Sequence, residues 1–99
     1  MMEFSFHPDA EKELLDAVSY YNECQDDLGI EFAREVYTSI QIIRQYPKAW
    51  PQLSPRTRRC LISRFPYGII YQIKDNEIYI ISVMQLNRKP KYWEDRTKK

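Results

Sequence analysis

The sequence predicts an α+β fold in the order β-α-α-β-β-β, a helical hairpin packed on one face of a small, mostly antiparallel sheet. Three observations carry it. Two consecutive segments place apolar residues at helical spacing, three later segments alternate with a period of two, and the break between the helices is short enough to make them antiparallel neighbours. The two apolar stripes then need a common surface, and the strands supply it.

The first strand, Glu3 to His7, alternates Phe4 and Phe6 with polar residues. Pro8 opens a helix, because its fixed φ suits the first turn and its missing N–H would be unpaired there anyway. Asp9 and Glu11 stand where the helix dipole favours negative charge. Ala10, Leu14, Ala17 with Val18, and Tyr21 form one stripe, and Asp26 to Gly29 breaks the pattern. A second helix follows from Ile30 to Gln45, with Phe32, Val36, Ile40 and Ile43 in a stripe, Ala33 and Tyr37 beside it, and Pro47 as its stop. Residues 47–57 hold Pro47, Pro51 and Pro55 around Trp50 and Leu53, the composition of an irregular loop with two apolar anchors. Strands are then expected at Arg58 to Arg64, Tyr67 to Lys74 and Glu77 to Met84, the last two joined through Asp75 and Asn76, which tolerate the positive φ of a tight hairpin. Pro66 and Gly68 disturb the start of the middle one. Tyr67, Ile69, Tyr71 and Ile73 share a face of that strand. On the last strand Tyr79, Ile81 and Val83 share a face opposite Ile78 and Ile80, so both of its sides are apolar and it belongs inside the sheet.

Length and composition narrow the function. At 99 residues the chain holds one domain, residues 1–99, and 43% hydrophobic with 14% aromatic residues excludes a disordered chain. No apolar run approaches the roughly 20 residues of a membrane span, and Met1 to Asp9 has no basic or apolar signal, so no membrane contact and a cytoplasmic location are expected. With Gly29 and Gly68 as the only glycines, no phosphate-binding loop forms; with His7 as the only histidine, no Ser-His-Asp or Cys-His set assembles. Cys24 and Cys60 lack metal-ligand spacing and read as buried free thiols, so no metal and no cofactor are expected. Asp26 and Asp27 read as a helix cap and a solvated neighbour.

The net charge of +1 conceals a polarity: residues 1–50 carry 4 Lys/Arg and 10 Asp/Glu, residues 51–99 carry 11 and 4. A basic half suits an acidic partner or a phosphate backbone. Arg58, Arg59 and Arg64 lie on or beside the first C-terminal strand, and Arg88, Lys89, Lys91 and Arg96 follow the last. If the fold joins these groups, guanidinium forks could hold phosphates while Tyr92 and Trp93 stack on bases. The competing reading makes Tyr92 and Trp93 an aromatic plug ringed by solubilising cations.

Ala17, Tyr20, Tyr21, Leu28-Gly29 and Phe32, then Tyr46-Pro47 with Trp50, Arg59-Cys60-Leu61, Arg64-Phe65-Pro66-Tyr67, and the ending Asn87-Arg88-Lys89-Pro90-Lys91-Tyr92-Trp93 together resemble the RelE/ParE toxin superfamily over nearly the whole chain. The resemblance implies the same helical hairpin on an antiparallel sheet. It also implies a plasmid-stabilisation type of growth-inhibiting toxin from a bacterial type II toxin–antitoxin system, neutralised by a cognate antitoxin, as a dimer or a hetero-oligomer with it. RelE-like members cut messenger RNA on the ribosome; ParE-like members are associated with inhibition of DNA gyrase. RelE-like ribonucleases place an arginine after the tyrosine opening the middle strand and another after the last strand, where this chain has Gly68 and Leu86, and the usual histidine is missing at Gln85 or Leu86. Only Tyr92 matches a catalytic position. The resemblance therefore implies a ParE-like toxin acting by binding, and the basic and aromatic pattern offers Arg58, Arg59, Arg64, Arg88, Lys89, Lys91, Trp93 and Arg96 as the residues that bind its target or its antitoxin. The alternatives are a ribosome-dependent endoribonuclease using Arg64, Arg88 and Tyr92, and an inactive member that only binds its antitoxin.

Overall fold

The computed structural model describes residues 1–89 and 91–97; Pro90 of the family-like ending lies outside them. The elements are β1 (Glu3–Phe6), α1 (Pro8–Cys24), α2 (Leu28–Gln45), β2 (Gln52–Ser54), β3 (Thr57–Leu61), β4 (Tyr67–Lys74) and β5 (Glu77–Gln85), followed by a single 3₁₀ turn at Glu94–Thr97. The five strands are ordered β1-β5-β4-β3-β2. Among the described residues the β1–β5 pair alone is parallel; the helical hairpin carries the chain from β1 at one edge of the sheet to β2 at the other, and the strands then return to β1. The α+β architecture and the meander of the last three strands are as the sequence predicts.

Helix α1 starts as Pro8 dictates, and His7 completes the start: its Nδ1 accepts the Asp9 N–H at 3.0 Å. Its stripe buries Ala10, Leu14 and Ala17, and α2 buries Phe32, Val36, Ile40 and Ile43, the residues the spacing selects. Both stripes meet Ile69, Tyr71, Ile78, Ile80 and Val83 of the sheet in one core. At the hairpin tip, Tyr21, Phe32, Phe65 and Tyr67 interlock edge to face, with Phe32–Tyr67 centroids 4.8 Å apart and Tyr21–Phe65 centroids 5.0 Å apart.

Four details differ from the sequence-based expectation. Helix α2 begins at Leu28, so Gly29 lies in its first turn instead of breaking the chain. A Cβ on Gly29 would come within 2.1 Å of the Val18 carbonyl oxygen, while its N–H donates to Asn22 Oδ1 at 2.7 Å. Glycine here lets the helices touch, and Asn22 of α1 caps one N–H donor of α2, that of Gly29, in place of Asp27, whose side chain makes no capping bond. Within the predicted loop, Gln52–Ser54 forms an edge strand on β3. The next strand stops at Leu61 instead of Arg64, since the chain turns at Arg64 with φ 73°. Finally, β5 carries an extra residue opposite the Ile70/Tyr71 step of β4. That bulge rotates Val83 onto the helical face with Ile78 and Ile80 and leaves Ile81 on the other side, separating two residues that strict alternation puts together.

The face of the sheet away from the helices is covered by the C-terminal segment. Trp93, 2% exposed, packs with Ile70, Ile81 and Met84, flanked by Leu53, Tyr79 and Tyr92. No helix among the described residues is long and apolar enough to cross a membrane.

Candidate functional site

Strand β1 ends at Phe6, paired with Ile80, so the outer edge of β5 beyond Ile80 has no strand beside it. Backbone groups there need other partners. Glu13 of α1 accepts the Val83 N–H at 3.1 Å and the Ser82 hydroxyl at 2.9 Å, while Arg96 donates to the Ile81 carbonyl at 3.1 Å. The same carboxylate accepts the Tyr92 hydroxyl at 2.5 Å and both terminal nitrogens of Arg96 at 3.0 and 3.2 Å. One glutamate thus ties helix, strand edge and C-terminal segment together. The Glu13 and Arg96 side chains are only 17% and 15% exposed, and Arg96 also reaches Asp9 at 3.8 Å.

This latch fixes the chemistry of Tyr92. Burial first, and then its hydrogen bond to Glu13, push its hydroxyl up to about 12. A phenol so held is a neutral donor at physiological pH, with its proton committed to Glu13, and makes a poor base for a ribose hydroxyl. Among the described residues the buried Trp93 indole N–H beside it has no acceptor, a cost on the order of 1–3 kcal/mol set against the packing of the ring.

The predicted basic residues separate, because β4 lies between β3 and β5. Arg58 donates to the Lys48 and Trp50 carbonyls at 3.2 and 2.7 Å, pinning the loop that Tyr71 also holds through Pro47 at 2.6 Å. Burial pushes that Tyr71 hydroxyl up to about 12. Arg64 pairs with Glu31 at 2.6 Å and borders a cleft at the start of α2 with Asp27, Arg34 and Glu35, whereas Arg88 and Tyr92 border another between α1 and β5. Arg59 does lie beside the end of β5: its stem and the Leu86 side chain both border Gly68. Arg88 stacks on the Tyr92 ring at 4.1 Å, and Arg96 lies 5.2 Å from the same ring. Lys89 and Lys91 are exposed, and Trp93 is packed inside instead of facing outward. Of the two thiols, Cys60 is buried and raised by desolvation, but Cys24, expected to be buried, is exposed at the end of α1.

Sequence reasoning passed over Glu13 and Ser82. A signal was present: Glu13 stands three residues after Ala10 and four before Ala17, an acid on the buried stripe of a helix.

The family model for the ParE toxin of the type II toxin–antitoxin system parDE matches residues 4–90. Among solved structures, the chromosomal ParDE TA system from P. aeruginosa shares the fold, with a TM-score of 0.76 at 15% sequence identity, covering 88% of this chain and 98% of that one. No curated protein sequence matches.

Proposed function

The chain belongs to the ParE toxin family of type II toxin–antitoxin systems, and from that membership we propose that it arrests bacterial growth by binding a target protein, with DNA gyrase as that target. A cognate antitoxin holds it inactive, and the pair forms a hetero-oligomer. The observation that carries a binding mode over RNA cleavage is the commitment of Tyr92. Its hydroxyl, the one group matching a catalytic position, is tied to Glu13 and raised to about 12. The other two candidates for cleavage, Arg64 and Arg88, border different clefts, and Arg64 is neutralised by Glu31. Cleavage of a phosphodiester needs cations and a proton acceptor converging on one phosphate. Gly68 and Leu86 supply neither at the positions where ribonucleases of the superfamily carry arginines.

The test is supercoiling of relaxed plasmid by purified gyrase with increasing amounts of this protein. Inhibition that the antitoxin reverses is the expected result. Unimpaired supercoiling at saturating protein, together with growth arrest on induction, overturns gyrase as the target.

A further inference from the structure

Arg88 is exposed, and among the described residues its guanidinium makes neither an ion pair nor a hydrogen bond. It is nonetheless held in place, 4.1 Å above the Tyr92 ring, and Tyr92 is itself fixed by Glu13 and Ser82. A stacked guanidinium has lost part of its rotational freedom while its fork of N–H donors stays available, which is the preorganised state that carboxylate recognition favours.

Beside it opens a cleft of about 180 Å³ between α1 and the end of β5. Ala17 and Val83, both buried, form its base; Tyr67 and the 60% exposed Tyr20 contribute ring surface. Two carboxylates also border it, and each already has a cation: Glu13 pairs with Arg96 at 3.0 Å and Asp16 with Lys12 at 2.8 Å. The uncompensated charge at the cleft is that of Arg88.

The geometry points to an anchor socket in which Arg88 takes the carboxylate of one glutamate or aspartate side chain from a protein partner, its methylene stem lying on Ala17, Val83 and the tyrosine rings. Size supports a single side chain, since pockets for small molecules run to roughly 300–1,000 Å³, and partner proteins seat their strongest contacts in such pockets. Charge separates a protein acid from nucleic acid. A phosphate backbone brings several negative charges and binds through several cations, but among the described residues Arg88 is the uncompensated cation at the cleft, and Lys89 and Lys91 do not border it. The inference rests on the family reading in one respect: the protein partner expected to carry the acid is the antitoxin.

The test is a nuclear magnetic resonance titration of the ¹⁵N-labelled full chain, following backbone amides and the arginine Nε–Hε signals. The probes are glutamate capped as N-acetyl methylamide, glutamine capped the same way as its uncharged counterpart, and inorganic phosphate. Capped glutamate is expected to shift the Arg88 Nε–Hε, Ala17 and Val83 signals with a millimolar dissociation constant, and capped glutamine to leave them in place. Arg88→Gln should abolish the response with the rest of the spectrum unchanged, and Arg88→Lys should weaken it about tenfold, because a point charge replaces the fork. No shift at tens of millimolar, an equal response to capped glutamine, or a stronger response to phosphate at the same signals overturns the socket. The titration needs no antitoxin and reads no toxicity. A null result in a chain that still arrests growth therefore removes the socket and leaves the family reading, whereas a responsive socket in a chain that arrests nothing strikes the toxin reading alone.

Discussion

The two faces of the sheet are closed by different means. On one, two helices of 17 and 18 residues lay continuous apolar stripes over the strands, and Phe32, Val36, Ile40 and Ile43 are fully buried. On the other, a C-terminal segment lowers Trp93 onto Ile70, Ile81 and Met84, and polar bonds converging on Glu13 hold it there. The first face draws on area spread over many residues; the second depends on a few directional contacts and carries an indole N–H with no acceptor among the described residues. Stability should therefore be distributed on the helical side and concentrated on the other. The candidate site residues Tyr92 and Arg96 belong to the segment that closes the concentrated side, and Arg88 stacks on Tyr92 at the cleft where that segment meets α1.

The largest effect should come from the helical core. Phe32→Ala is expected to cost about 4 kcal/mol in urea unfolding, since it removes a ring that three aromatic neighbours enclose. A loss below about 1 kcal/mol would mean that the helices are not the main support. On the opposite face, Glu13→Ala should cost about 3 kcal/mol by leaving the Val83 N–H unpaired and taking from the mostly buried Arg96 its nearest carboxylate, with only the Ile81 carbonyl and the more distant Asp9 remaining to it. Its distinguishing sign is a red-shifted tryptophan emission with helical circular dichroism retained; loss of both signals together would show that the faces do not separate. Gly29→Ala is expected to cost about 2 kcal/mol, because the new methyl meets the Val18 carbonyl, and melting temperature should fall with the C-terminal segment still in place.

How far the sequence reaches follows the same division. Helical stripes need only i, i+3 and i+4 spacing, and their centres are buried as selected, with Val18 and Tyr21 half-buried at the margin and Tyr37 exposed; the Asp75-Asn76 turn likewise has the positive φ values, 52° and 64°, that its residue types suggest. The second face is set by events that have no period. A bulge moves Val83 across the sheet, a three-residue edge strand hides between prolines, and Glu13 looks like a solvated helix charge until β1 proves too short to cover the edge of β5. Candidate residues shared that fate. Adjacent elements suggested that Arg64 and Arg88 would meet, but Arg64 leaves β3 at a turn and pairs with Glu31 of α2, while Arg88 follows β5 and stacks on Tyr92.

A smaller effect compares the faces through two tyrosines, Tyr71 in the helical core and Tyr92 in the latch, both raised to about 12 mainly by burial. A folded-state value above the unfolded value of 10 means that the contribution to stability is complete below pH 10. It declines as pH climbs toward about 12, since the unfolded chain loses those protons first. Urea midpoints should be flat from neutral pH to about 9.5 with respect to these groups and fall above it. Tyr92→Phe should remove part of that slope, and an unchanged slope would contradict the burial of its hydroxyl. Smallest of all, Lys12→Ala breaks an exposed pair with Asp16 and should leave the unfolding midpoint unchanged.

The central claim, arrest by binding instead of by cutting RNA, is tested most directly by primer extension on messenger from translating ribosomes incubated with the purified protein. Full-length messenger with wild-type protein that still arrests growth is the predicted result. Discrete cuts within ribosome-bound messenger that vanish in Tyr92→Phe would contradict it.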